Sequence, residues 1–299
     1  MIERSGPNGV AGMAHRFDLQ LLLNILHCDF DIPIQAPKMF SEVCFACVDG
    51  GIGRFDRSTL SQQTLMELFL FGLENSDEIC GNRDAPDEMC EWNGVTCSNG
   101  EVERINWSYD HNFDAGTLRF EVLPESLKEI DMTKCAIAGT IDLGELPESI
   151  EYLSLYINHL SGSLNLASVP TAMRDLILAK NRFSGEISLE CLPQGIRNVS
   201  VGANQLIGTI CLTSLPPMLE NLFLAENRFT GTLDLTRLPA SLENIQLSGN
   251  MFSGTVDVIQ LPKNLQVVNV EDNNLTGTVQ MPHEILFAFS GNEDLIAKW

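Results

Sequence analysis

The amino-acid sequence predicts an α/β solenoid, a fold in which short units stack along one axis instead of enclosing a single globular core. Three features predict it: a recurring Leu-Pro pair, a column of Asn residues and a column of Gly residues, all with the same period. The pair, or its Val-Pro equivalent, recurs seven times at intervals of 23 residues, at Leu123, Leu146, Val169, Leu192, Leu215, Leu238 and Leu261. A fixed period without insertions indicates one structural unit repeated along the chain.

Each position of a copy has a physical role, which is clearest in LPASLENIQLSGNMFSGTVDVIQ (238–260). If the Leu of Leu-Pro is position 1, apolar residues at positions 8 and 10 flank one outward residue, as in a strand with one buried face. The amide at position 13 can satisfy backbone groups where the chain leaves the strand, and Gly at position 17 permits a tight backbone path. The amide column contains Asn158, Asn181, Asn204, Asn227, Asn250 and Asn273, with Cys135 at the same place in an earlier copy.

This pattern resembles the leucine-rich repeat, L-x-x-L-x-L-x-x-[NC]-x-L, of which LENIQLSGNMF (242–252) is one instance. The resemblance covers about residues 90–292. It implies a horseshoe with a parallel β-sheet on its concave face, about eight repeats of 23 residues and a helical N-terminal cap. Stretches such as FTGTLDL (229–235) are similar to plant-type repeats, although these copies are slightly shorter and place the Pro later. Leu-Pro copies with GTLDL look more like repeat proteins of protists such as trypanosomatids.

The boundaries of the solenoid follow from its frame. The first copy is predicted to begin at Val102, in a frame two residues longer than the later ones. A ninth copy is predicted to be abortive, because Met281-Pro282 arrives three residues early and EILFAFSGNEDL (284–295) fits the frame poorly.

Three parts are therefore expected along the chain. Residues 1–58 form a partly helical segment of unknown structure, and residues 59–99 form the cap. Residues 100–299 form the solenoid, with a weak or truncated C-terminal end.

The motif CEWNGVTC (90–97) directly precedes the first copy and resembles the N-terminal cap of plant-type leucine-rich repeat proteins. In that family the two cysteines usually pair, so the resemblance implies a disulfide between Cys90 and Cys97. Two unpaired buried thiols are the alternative, and Cys80 is a competing partner.

The segment SQQTLMELFLFGL (61–73) is predicted to be the cap helix. Ser61 can accept a hydrogen bond from the first turn as its N-cap. The apolar side of the helix is predicted to contain Leu65, Leu68, Leu70 and Leu73. Such a cap would cover the first repeat, which has no preceding neighbour to bury its core.

Stacked copies place positions 6, 7, 9, 11 and 12 on the predicted concave sheet. Position 9 carries Ile177 and Phe223, which are apolar where water is expected, and nearby positions carry tyrosines. Exposed aromatic clusters are typical of binding anchors, whereas scattered surface hydrophobes are common and need no explanation. The predicted partner-binding residues are Tyr152, Tyr156, Ile157, Ile177, Asp175, Phe223 and Asp131.

Composition restricts the partners. The 299 residues include 40 acidic and 18 basic ones, for a net charge of −22, so the surface should repel nucleic acid and anionic membranes and favour basic or neutral partners. No stretch reaches the roughly 18 to 20 continuous apolar residues that span a bilayer. A lone Cys44-x-x-Cys47 lacks the second ligand pair that a zinc site needs. The sequence predicts no cofactor, no metal and no catalytic residue.

The function expected from these features is a non-catalytic module that binds a protein or peptide, of basic character, through the concave face. One alternative is an ectodomain fragment of a surface or receptor-like protein, and another is an enzyme with its activity in residues 1–60. The cap cysteines favour a secreted or cell-surface location, while the lack of a clear signal peptide leaves a cytoplasmic one open.

Overall fold

The structure, a computed structural model, describes residues 57–73, 76–109, 116–280 and 285–298. The predictions made for residues 1–56, including those for Cys44 and Cys47, lie outside the described residues. None of the helices within these ranges is long and apolar enough to cross a bilayer.

The described part of the chain is a β-solenoid with two sheets, one on each side of its core. The larger sheet has ten strands and opens with an antiparallel hairpin, after which its pairs are parallel. In spatial order its strands are β1 Val95–Ser98, β2 Glu101–Asn106, β3 Glu129–Asp131, β5 Tyr152–Ser154, β7 Asp175–Ile177, β9 Asn198–Ser200, β11 Asn221–Phe223, β13 Asn244–Gln246, β15 Val267–Asn269 and β17 Leu286–Ala288.

The second sheet has eight strands and is parallel throughout. Its strands are β4 Ala138–Gly139, β6 His159–Gly162, β8 Arg182–Glu186, β10 Gln205–Thr209, β12 Arg228–Thr232, β14 Met251–Gly254, β16 Asn274–Gln280 and β18 Asp294–Lys298. Between this sheet and the next copy the chain forms short turns, such as the 3-10 turns Leu143–Glu145 and Leu166–Ser168. Only about five residues separate the second strand from the next Leu-Pro, too few for an α-helix, so the helical part of the predicted α/β solenoid is confined to the cap.

The core lies between the two sheets and is built from the periodic apolar positions. Position 8 of each copy is completely buried, as Ile130, Leu153, Leu176, Val199, Leu222, Ile245 and Val268. Position 15, in the second sheet, supplies the large side chains of the same core, and the rings of Phe229 and Phe252 in successive copies stack with centroids 6.3 Å apart. The predicted repeat frame is thereby confirmed.

The Asn column forms the predicted ladder of buried amides. In the middle of the solenoid, the Asn227 Nδ2 donates to the carbonyl oxygens of Val201 at 3.0 Å and Leu224 at 3.2 Å, and its Oδ1 accepts from the Leu206 N–H at 3.0 Å. Each amide thus satisfies backbone groups of its own copy and of the copy before it. Cys135 takes the same place as a weaker donor, with its Sγ 3.1 Å from the Trp107 carbonyl oxygen.

The prediction of an abortive ninth copy is wrong. Strand β17 continues the ten-stranded sheet and β18 continues the eight-stranded one. Asn292 extends the amide ladder, accepting from the Leu275 N–H at 3.0 Å and donating to the Val270 carbonyl oxygen at 2.9 Å. Val268 and its partner Phe287 are 19 residues apart instead of 23, so the missing residues fall between β16 and β17 and leave the frame of the strands intact. The solenoid has about nine turns.

The cap helix α1 spans Gln62–Leu70, with Ser61 as its N-cap; the Ser61 Oγ accepts from the Thr64 N–H at 3.1 Å. Its apolar side differs from the prediction, because Leu68 is only partly buried. A period of 3.6 residues places Leu65, Met66, Phe69, Leu70 and Leu73 on the buried side instead. The Phe69 ring packs against Trp107 and Phe120 of the first copy, with centroids 6.0 and 5.9 Å apart, so the helix covers the open core.

The loop that follows the short helix α2, Asp77–Cys80, contains the predicted disulfide between Cys90 and Cys97. Cys80 is a buried free thiol and not a competing partner. Trp92 is buried, and its Nε1 donates to the Asp87 carbonyl oxygen at 2.7 Å. Gly94 has a φ of +76°, and a Cβ there would stand 2.2 Å from the Asn106 carbonyl oxygen, so the loop lies against the first strand of the solenoid as only Gly permits.

Candidate functional site

The register of the ten-stranded sheet brings the predicted residues onto one face. At position 7, Tyr152 in β5 is paired with Asp175 in β7. At position 9, Ile177 and Phe223 lie on either side of Ser200, each one strand away from it. Asp131 belongs to the same position-9 row, two strands before Ile177. Strand pairing therefore places five of the seven predicted residues on neighbouring strands of a single face.

These side chains are less exposed than a cluster of surface anchors would be. Tyr152, Ile177 and Phe223 are each half-buried. The strongly exposed large apolar residues of the described chain lie elsewhere: Tyr109, Ile207, Met218, Met251, Ile259, Leu286 and Ile296. The predicted patch is therefore a partly recessed apolar surface.

Small residues at positions 9 and 11 produce the recess. Position 11 carries Ala179, Gly202 and Ala225, each two residues past the end of β7, β9 or β11. Gly202 is buried, and a Cβ at that position would approach the Ala225 carbonyl oxygen to 3.0 Å. Ser200 thus forms a low floor between the taller side chains of Ile177 and Phe223, and Gly202 extends this floor between Ala179 and Ala225.

A second amide ladder, absent from the sequence predictions, runs along position 7. The Asn244 Nδ2 donates to Asn221 Oδ1 at 2.6 Å, and the Asn221 Nδ2 donates to Asn198 Oδ1 at 2.6 Å. The Asn198 amide in turn donates to the Asp175 carboxylate. The spacing of 23 residues between these asparagines was the available signal, but without the strand register it could not be distinguished from ordinary polar surface positions.

Carboxylates surround Tyr152. Burial raises the pKa of the Tyr152 phenol above its ordinary value, and the negative charges of Asp131, Asp175 and Glu129 raise it further, while a hydrogen bond with Ser154 acts in the opposite direction. The Asp131 Oδ1 accepts from the Thr133 N–H at 3.0 Å. Within the described ranges neither Asp131 nor Asp175 takes part in a salt bridge.

Tyr156 and Ile157 lie beyond the end of β5, at the rim of this face. The Lys180 ammonium stands 5.3 Å from the centroid of the Tyr156 ring. Ile157 has a φ of +55°, a left-handed conformation that is costly for a β-branched side chain. The same position carries Gly249 with a φ of +64° in a later copy, so the backbone path is set by the repeat and Ile157 conforms to it under strain.

Across 57–73, 76–109, 116–280 and 285–298 there is no group of three or more His, Cys, Asp or Glu side chains that could hold a metal ion. A shallow cavity of about 420 Å³ next to the first two full copies is lined mainly by Leu118, Phe120, Thr140 and nearby acidic residues, and it includes none of the predicted site residues.

Comparison with known proteins identifies the fold. No protein-family model and no curated protein matches the chain. Among solved structures, the chain is similar to the leucine-rich repeat ectodomain of the membrane receptor kinase GASSHO1/SCHENGEN3 from Arabidopsis thaliana, in complex with CASPARIAN STRIP INTEGRITY FACTOR 2. The identity is 20% and the TM-score 0.55; the match covers 79% of this chain and 36% of that one, so the chain spans about a third of that ectodomain.

Two further structures are similar at a lower TM-score of 0.45. YopM from Yersinia enterocolitica WA-314 is 24% identical, over 61% of this chain and 39% of its own. The Arabidopsis receptor kinase HAESA, in complex with the peptide hormone IDA and the co-receptor SERK1, is 21% identical, over 72% of this chain and 40% of its own. The fold of the chain is that of a leucine-rich repeat protein. At these identities the likeness concerns the fold alone.

Proposed function

We propose that the chain is a non-catalytic recognition module that binds a protein or peptide on the outer face of its ten-stranded sheet. The observation that carries the proposal is the pair Ile177 and Phe223, which faces outward on either side of a floor made by Ser200. An apolar recess of this kind, on an otherwise polar sheet face, gives a partner side chain surface to bury.

The fold supports the same function. The ectodomain of GASSHO1/SCHENGEN3 is in complex with CASPARIAN STRIP INTEGRITY FACTOR 2. A similar scaffold in this chain presents a long row of outward positions, which suits an elongated partner. Because function resides in sites and not in folds, the side chains of β3 to β11 are the stronger argument.

The disulfide supports a location in an oxidising compartment. Disulfides persist in secreted and surface-exposed proteins and are rare in the cytosol, and Cys90 and Cys97 are joined in the cap. We therefore also propose that the protein is secreted or located at the cell surface. Its cap and repeats are proposed to be of the plant type or the trypanosomatid-like type. Thiol trapping of the protein in its native source tests this part: protection of both thiols is expected, and free thiols would contradict it.

Selection from a displayed library of random 12-residue peptides tests the binding face. The wild-type protein should retain a set of peptides, and Tyr152→Ala with Ile177→Ala should lower their retention about tenfold, because truncation of two anchors removes buried apolar area. The matched control is Ile207→Ala with Met251→Ala, which truncates two exposed residues of the eight-stranded sheet. Equal retention by the first variant and wild type, with circular dichroism unchanged, would refute the proposed face.

A further inference from the structure

The charges on the binding face are unevenly compensated. Four cations along its position-6 and position-7 rows are already engaged by carboxylates of adjacent copies. These pairs are Arg104–Glu129, Lys128–Glu103, Arg174–Glu151 and Arg197–Glu220. Asp131 and Asp175 have no such cation among the described residues, and they lie on the strands before and after that of Tyr152, with Asp175 its direct partner. This end of the face therefore combines an aromatic ring with uncompensated negative charge, which is complementary to a guanidinium or ammonium group.

The apolar recess lies a short distance from this acidic end. Its centre, Ser200 in β9, is two strands away from Tyr152 in β5. At about 4.8 Å per strand the separation is about 10 Å, and an extended chain advances about 3.3 Å per residue. Allowing for side-chain reach, one extended segment can fill both places if the two side chains are about two to four residues apart.

Beside the recess, in the row of Tyr152 and Asp175, lies the position-7 amide ladder on β9, β11 and β13, whose members retain hydrogen-bonding capacity. Asn221 donates one amide hydrogen to Asn198 and accepts one hydrogen from Asn244. A primary amide has two N–H donors and two carbonyl lone pairs, so one of each remains for a ligand. The ladder fixes the amide planes, which reduces the entropy lost when they bind the peptide groups of a crossing chain.

We infer that the partner binds as an extended segment that carries an Arg or Lys two to four residues from a large apolar residue. The basic side chain lies against Tyr152 between Asp131 and Asp175, the apolar one enters the recess between Ile177 and Phe223, and the backbone next to the apolar residue meets the Asn198–Asn221 ladder. This inference rests on the proposed function and specifies the chemistry of its partner.

The test uses synthetic versions of the peptides that the 12-residue library yields on the full chain. The variant Asp131→Asn with Asp175→Asn removes both charges, and the Asn side chains can still accept from Thr133 and Asn198. The matched control is Asp142→Asn with Asp234→Asn, which makes the same change of net charge at exposed carboxylates beyond the eight-stranded sheet. Affinities are measured by titration calorimetry for each peptide and for its Arg→Gln counterpart.

The expected result is a basic and an apolar residue two to four positions apart in the retained peptides. The Asp131→Asn/Asp175→Asn variant should bind them about tenfold more weakly than the wild type, and the control variant should bind within about twofold of the wild type. Arg→Gln in the peptide should have little further effect on binding to the Asp131→Asn/Asp175→Asn variant, because the two changes remove the same interaction. This inference would be overturned, and the proposed function would stand, if the retained peptides need Ile177 but are not enriched in Arg or Lys, or if their Arg shows no coupling to the two aspartates. No retained peptides, or retention indifferent to Ile177 and Tyr152, would overturn both.

Discussion

Replacement of Asn227 by Ala tests how the solenoid is held together. The Asn227 side chain is 8% exposed and lies in the middle of the position-13 ladder. Its amide makes close hydrogen bonds to three backbone groups, the carbonyls of Val201 and Leu224 and the N–H of Leu206. Ala offers no replacement for any of them.

The expected loss follows from the three stranded groups. A buried backbone donor or acceptor without a partner costs about 1 to 3 kcal/mol, and a water that enters the vacated volume would recover part of this. We therefore expect Asn227→Ala to lower the free energy of unfolding by about 3 to 5 kcal/mol. Asn227→Cys should lose about half as much, because Cys135 shows that a thiol at this position can still reach one carbonyl oxygen.

Urea unfolding followed by circular dichroism measures the loss, and amide hydrogen exchange locates it. The Leu206 N–H should lose its protection in the Ala variant before distant strands do. Asn274→Ala, at an exposed position of the eight-stranded sheet, is the control and should change stability by less than about 0.5 kcal/mol. A loss below about 1 kcal/mol for Asn227→Ala, or one equal to that of Asn274→Ala, would refute the ladder as a source of stability.

Three other perturbations have expected outcomes. Gly231→Ala should destabilise the protein by about 2 kcal/mol, because φ is +89° and the new Cβ would stand 3.0 Å from Thr209 Cγ2. Addition of Thr209→Ser removes that methyl group and should restore only the part of the stability that the steric contact costs. Full recovery of stability in urea unfolding would contradict this. Ile157→Asn should stabilise the protein by about 1 kcal/mol, because Asn tolerates the left-handed region, and a lower melting midpoint would refute the assigned strain. The Tyr152 phenol should ionise above its ordinary pKa of about 10, so its contribution to stability should be lost only as pH rises beyond that value. Asp131→Asn should lower the Tyr152 pKa, measured by ultraviolet difference titration with Tyr152→Phe as the reference. An unchanged pKa in the Asp131→Asn variant would contradict the effect of this charge.

The repeat could be predicted from the sequence because each copy imposes the same local requirements. Apolar residues at positions 8 and 10, the buried amide at position 13 and the Gly at position 17 recur with one period, and strand pairing preserves that period. The ninth copy was missed because four residues are lost before its first strand, between β16 and β17, whereas Asn292 and the apolar residues that enter the core are retained. The core depends on which residues face each other, and this is insensitive to the length of the connecting turn.

The candidate site was only partly predictable. Ile177 and Phe223 are unusual in their row and could be recognised from the sequence. The recess between them depends on Ser200, an unremarkable residue until strand register places it between the two apolar side chains. Likewise, the uncompensated charge of Asp131 and Asp175 emerges only once the neighbouring carboxylates Glu129 and Glu151 are found to be paired with cations, which is a property of the folded surface.

Site-specific photo-crosslinking tests the central claim, recognition on the ten-stranded sheet, most directly. A benzophenone amino acid replaces Ser200, on the floor of the recess, or Ile207, exposed on the opposite sheet. Each protein is irradiated with the peptide that the library selection yields, and the products are mapped by mass spectrometry. Crosslinks from position 200 to the apolar residue of the peptide, with none from position 207, are the predicted result. Crosslinks of equal yield from both positions, or from position 207 alone, would contradict it.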